Sequence, residues 1–198
     1  MDKERRYINP GFTIEKRDDG TTGKIIGLGI VFNKESSDLG GFKEIISPDA
    51  TRNIKFEDVV SLFNHDPNKV LARTPDTLSV EQKDDGVYYS FEPSDTQASR
   101  DLVINIDRKE VRGSSFAFQV ADGGDTWEKH PSGEYWIRTI NEFSAIYDLS
   151  PVTFPAYPDT TVAKRALDQV KTNVEQKFDE IPLELRQKEY EFLKLNHK

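Results

Sequence analysis

The sequence contains no cysteine, which removes disulfide frameworks, thiol nucleophiles and cysteine-ligated zinc in one step and suits a reducing compartment. No stretch approaches the roughly 18 consecutive apolar residues of a membrane span. Met1-Asp2-Lys3-Glu4-Arg5-Arg6 is not followed by the apolar run of a signal peptide. A soluble, intracellular protein is expected. Positive charge is scarce: 27 Lys and Arg against 35 Asp and Glu leave a formal net charge of −8. That balance argues against nucleic acid as a partner, since phosphates require a basic face. Several catalytic signatures are missing too. Without a Gly-x-Ser-x-Gly elbow an α/β-hydrolase is not expected. Without His-Glu-x-x-His or a glycine-rich phosphate loop, neither a zinc peptidase nor a nucleotide enzyme is expected. No cofactor and no metal is called for.

What is present is a patterned chain of 198 residues, enough for one domain of about 100–200 residues and an appendage. Up to Thr161 the pattern is short strands. Tyr7–Lys16 and Lys24–Phe32 flank a turn-rich link and read as a hairpin, as do Thr77–Gln82 with Val87–Phe91 and Thr126–His130 with Tyr135–Ile140. Val59–Phe63, Val111–Val120 and Ser144–Phe154 read as further strands. Ser47-Pro48-Asp49 should cap a short helix. Ser94-Asp95-Thr96-Gln97 matches a capping box opening a helix over Asp95–Arg108. Beyond Thr161, Ala163, Ala166, Leu167, Val170 and Val174 share one helical face; Asp179–Pro182 should break this helix before a second at Leu183–Leu195. The expected fold is mainly β with helices (α+β). Its antiparallel strands should form a closed or nearly closed β-barrel surrounded by helices, since closure hides strand edges. Residues 1–161 would form that domain and 162–198 a helical tail.

Three places could carry chemistry. Of the three histidines, His130 and His197 sit in a turn and a terminal tail. His65 follows an apolar strand directly, where a scaffold presents a loop residue; an imidazole there is either structural or a base at near-neutral pH. In Arg112-Gly113-Ser114-Ser115-Phe116-Ala117-Phe118, strand alternation puts Ser114 with the two phenylalanines and Ser115 on the other face. Ser115 lies between Gly113 and Ala117, which leave clearance for an approaching backbone, or simply allow close packing. Asp148 interrupts an apolar strand, where a carboxylate is costly unless paired. Its partner is either an imidazole, as in a catalytic triad, or an arginine such as Arg138 or Arg112.

In order along the chain these segments resemble the HK97-type phage prohead (capsid maturation) protease family, over about Gly23 to Arg165. The resemblance is carried by Gly27-Leu28-Gly29-Ile30-Val31-Phe32-Asn33, Glu44-Ile45-Ile46-Ser47-Pro48-Asp49-Ala50, Asn64-His65-Asp66, Gly113-Ser114-Ser115-Phe116-Ala117-Phe118 and Asp148-Leu149-Ser150-Pro151-Val152-Thr153-Phe154-Pro155. It implies a serine endopeptidase with Ser115 as nucleophile, His65 as base and Asp148 as orienting acid. Arg138 and Gly113 would support the oxyanion site. The substrates implied are the scaffold portion of the major capsid protein and the protease itself, inside an assembling prohead in the host cytoplasm, with no nucleic acid and no membrane as partner. The family is similar to herpesvirus capsid-assembly proteases, a β-barrel ringed by helices acting as a homodimer. Two residues depart from the pattern, Ala117 for Gly and Asp148 for Glu. The competing expectation is a catalytically inactive capsid-assembly or scaffold-binding module on the same fold.

Overall fold

Asn9-Pro10-Gly11 divides the first extended stretch. Pro10 has no N–H to give to a ladder, and Gly11 sits at φ 77°, where glycine is favoured. The computed structural model, which describes residues 3–20, 22–154 and 161–180, therefore has two strands where one was expected. β1 (Glu4–Ile8) and β2 (Phe12–Lys16) join different sheets. There follow β3 (Thr22–Val31), β4 (Phe42–Ile46), β5 (Val60–Leu62), β6 (Val70–Arg73), β7 (Leu78–Lys83) and β8 (Gly86–Phe91). Helix α1 (Gln97–Asp107) precedes β9 (Gly113–Val120), β10 (Asp125–Lys129), β11 (Trp136–Ile140) and β12 (Phe143–Val152). The last described element is α2 (Thr161–Glu180).

Local chemistry explains the boundaries. Ser47 caps a 3-10 turn over Pro48–Thr51, its hydroxyl accepting from the Asp49 N–H at 3.3 Å. The cap of α1 is Thr96, which accepts from the Ser99 N–H at 3.3 Å, and not Ser94. The hairpins β2–β3, β7–β8 and β10–β11 are antiparallel.

The ladders make three sheets, ordered β1-β9-β12-β5-β6, β10-β11-β4 and β2-β3-β8-β7. Among the described residues none closes on itself, and β12 with β5 and β11 with β4 run parallel. The mainly β, α+β composition stands; the closed antiparallel barrel is not what the hydrogen bonding forms. The three sheets instead bury their apolar faces in one core. It takes Ile25, Tyr89 and Phe91 from one sheet, Ile46 and Ile140 from another, Phe116, Phe118 and Leu149 from the third, and Leu102 and Ile106 from α1. A Cβ at Gly29 would lie 2.7 Å from Leu149 Cδ2, so glycine is what allows β3 to lie against β12.

The chain divides into two units, Met1–Thr160 and Thr161–Lys198. In the second, α2 has Ala163 and Leu167 buried and Lys164 and Asp168 exposed. Val174, expected on the apolar face, is half exposed at 50%. The helix continues through Asp179 and Glu180; the second helix expected at Leu183–Leu195 lies outside the described residues.

Candidate active site

The five-stranded sheet gathers the candidate residues. After β5 the chain enters a tight turn in which Asn64 and His65 both have φ 56°, a left-handed conformation for which Asn and His are among the better non-glycine residues. The turn is held at both ends. The Asn64 Oδ1 accepts from the Thr153 N–H at 2.8 Å, and its Nδ2 donates to Thr153 Oγ1 at 3.2 Å. The Asp66 carboxylate accepts from the Asn68 N–H at 2.9 Å. That bond, aided by the Asn68 side chain and Lys69, holds the Asp66 carboxyl below the usual carboxylate range.

On β9 the alternation works as expected. Ser114 faces inward with Phe116 and Phe118, its hydroxyl 3.0 Å from the Tyr89 hydroxyl. Burial pushes that phenol well above its ordinary range, with the Ser114 hydrogen bond only partly offsetting it. Ser115 takes the other face. Asp148 reaches that face through an irregularity in β12. Ile146 pairs with Phe118 and Asp148 with Ala117, so two steps on β12 match one on β9. In a regular strand Ile146 and Asp148 would share a face. The bulge at Tyr147 leaves Ile146 in the core and turns Asp148 toward Ser115's side, as bulges do.

His65 bridges the two strands. Its Nε2 is 2.7 Å from Ser115 Oγ, and its Nδ1 is 2.7 Å from Asp148 Oδ1. The second contact has ion-pair distance but lacks the alignment of a directed hydrogen bond. The Asp148 Oδ1 also accepts from the Ser150 hydroxyl at 2.9 Å, and its Oδ2 lies 3.6 Å from Lys3 Nζ. The cluster is buried: Ser115 has 0% of its surface exposed and Asp148 1%, and the His65 side chain 8%. The clearance expected beside Ser115 is filled. Tyr7 on β1 pairs with Ser115, and its ring occupies the space over Gly113, where a Cβ would come within 2.2 Å of it. Among the described residues no group of His, Asp and Glu is placed to hold a metal, and no helix is long and apolar enough to cross a membrane.

A family model described as caudovirus prohead serine protease matches residues 12–173. The chain belongs to that family. No curated protein sequence matches it. Among solved structures, the bacteriophage T4 capsid assembly protease is similar at 16% identity and a TM-score of 0.41, over 75% of this chain and 98% of that one.

In this prohead protease family member Arg138 does not stand beside Ser115. Its Nη1 donates to Glu4 Oε2 at 2.9 Å and to Glu44 Oε2 at 3.1 Å, and its Nε to Asp125 Oδ2 at 2.6 Å. Glu4 pairs across from Phe118, so this network lies on the core side of the sheet, opposite to Ser115. Neither Arg138 nor Arg112 pairs with Asp148; the cation near it is Lys3. Sequence reasoning missed Ser150, Asn64 and Tyr7. The first two lie inside the quoted motifs, beside residues chosen for their chemistry, and no local signal marked Tyr7.

Proposed function

We propose that this protein is a serine endopeptidase acting by acyl transfer, with Ser115 as nucleophile, His65 as general base and Asp148 as orienting acid. The observation that supports it is the continuous chain of contacts Ser115 Oγ–His65 Nε2 and His65 Nδ1–Asp148 Oδ1, each 2.7 Å. With the proton on Nδ1, facing the carboxylate, Nε2 presents its lone pair to the Ser115 hydroxyl. His65 takes that proton as Oγ attacks a peptide carbonyl, and Asp148 stabilises the imidazolium that forms. Backbone N–H groups receive the oxyanion, the amine leaves with the proton from His65, and water releases the acyl group. Gly113 supports the site by making room for Tyr7.

The substrates in this reading are the scaffold portion of the major capsid protein and the protease itself. It acts inside the assembling prohead in the host cytoplasm, as a homodimer or larger homo-oligomer, without nucleic acid, membrane, metal or cofactor. The three sheets around one core take the place of the nearly closed barrel, and self-cleavage in this reading falls within residues 162–198. A second reading, an inactive scaffold-binding module, draws on the lack of exposed surface at Ser115. In the first reading that closure is a resting state which must part before attack.

Coexpression with the matching capsid protein separates them. The parent should shorten the capsid protein on a gel and Ser115→Ala should not. Equal cutting by both removes Ser115 as nucleophile; no cutting by either favours the binding module.

A further inference from the structure

Ser150 has no exposed surface and uses its hydroxyl in both directions. It donates to Asp148 Oδ1 at 2.9 Å and accepts from the Leu62 N–H at 3.1 Å. The oxygen it binds is the same one that faces His65 Nδ1. Leu62 is the last residue of β5, from which the chain passes directly into the turn that carries His65. Ser150 also pairs directly with Ser115 across the sheet. One hydroxyl thus ties the acid to the root of the loop presenting the base, next to the strand position of the nucleophile.

The carboxylate needs such a tie. Its contact with His65 is close but poorly aligned, and Lys3 approaches only the other oxygen, at 3.6 Å, from a side chain that is 42% exposed. Among the described residues Ser150 supplies the one short, buried hydrogen bond from a neutral donor to Asp148. We propose that Ser150 is a positioning residue that fixes the Asp148 carboxylate against His65 and so sets the reactivity of Ser115. This rests on the protease reading above. A merely structural Ser150 would satisfy the Leu62 N–H and support the fold, without acting through Asp148.

A small fluorophosphonate separates the roles. The Ser115 Oγ attacks phosphorus, an O–P bond forms, the P–F bond breaks with loss of fluoride, and the proton passes to His65. Labelling rates are followed by mass spectrometry for the parent, Ser115→Ala, Ser150→Ala, Ser150→Thr, Asp148→Asn and the Asp148→Asn/Ser150→Ala double variant, with thermal midpoints alongside. Ser150→Ala should label about tenfold or more slowly, as expected for loss of a hydrogen bond to a charged group, and Ser150→Thr should recover most of the rate. In the Asp148→Asn background the further change at Ser150 should have almost no effect, because residues acting as a unit are not additive. Equal slowing in both backgrounds, or a Ser150→Ala rate within twofold of the parent, overturns the inference while leaving the triad in place. Label placed on Ser115→Ala at the parent's rate removes the protease reading and this inference together.

Discussion

A carboxylate with almost no accessible surface is costly on a sheet unless its charge is answered. Asp148 has the His65 ring, the Ser150 hydroxyl and the Lys3 ammonium around it. Replacing it by Asn keeps the shape but lets the amide favour the wrong imidazole tautomer. Asp148→Asn is expected to lower kcat by about 10⁴-fold, read from turnover of the capsid protein. Asp66, at the far end of the His65 turn, makes a pH-dependent contribution. Its carboxyl is held below the ordinary value of about 3.9, chiefly by the Asn68 N–H. Its stabilising effect is therefore complete above that ordinary value and lost as pH falls through the lower native one. NMR titration should show Asp66 with a midpoint below that of a model aspartate, and Asp66→Asn should remove this acid-side loosening of the turn.

At the level of strands, β1 sets the geometry around Ser115. Gly113→Ala would drive a methyl into the Tyr7 ring and should cost about 1–3 kcal/mol of stability in urea denaturation, as overpacking does. Combining it with Tyr7→Ala should recover part of that loss, because the clashing ring is gone. Much of this architecture was legible. Turn residues marked the hairpins, and alternation separated Ser114 from Ser115. The irregular elements were hidden. The bulge at Tyr147 obeys no period, so alternation alone would leave Asp148 on the same face as Ile146. The break at Asn9-Pro10-Gly11 carries its own turn signal, set inside a stretch that extended patterning alone joins into one strand. β4 and β6 were hidden as well: β4 pairs with the distant β11 and not with a hairpin neighbour, and β6 follows the irregular turn at Asn64 and His65. Arg138 was misplaced because spacing along a chain does not say on which side of another sheet a side chain emerges.

Across the molecule, a buried charge network ties segments that are far apart in the sequence. Arg6 Nε donates to Glu44 Oε1 at 2.8 Å and Arg6 Nη2 to Glu4 Oε2 at 2.7 Å, while Arg138 joins Glu4, Glu44 and Asp125. Burial works against the charge on both arginines, but their carboxylate partners more than offset it and hold them firmly protonated. The network links the edge of the five-stranded sheet to β4, β10 and β11. Arg138→Ala should destabilise the protein by about 3–5 kcal/mol, since it leaves the two buried acids Glu4 and Glu44 with Arg6 as their one counter-charge among the described residues; chemical denaturation measures this. The family match begins at Phe12, downstream of every β1 residue in these contacts. Trimming the polypeptide to that shared span would strip Glu4 and Arg6 from the ionic lattice, Lys3 from Asp148, and the Tyr7 ring from its place over Gly113. Biochemical work therefore needs the residues ahead of Phe12 kept in place.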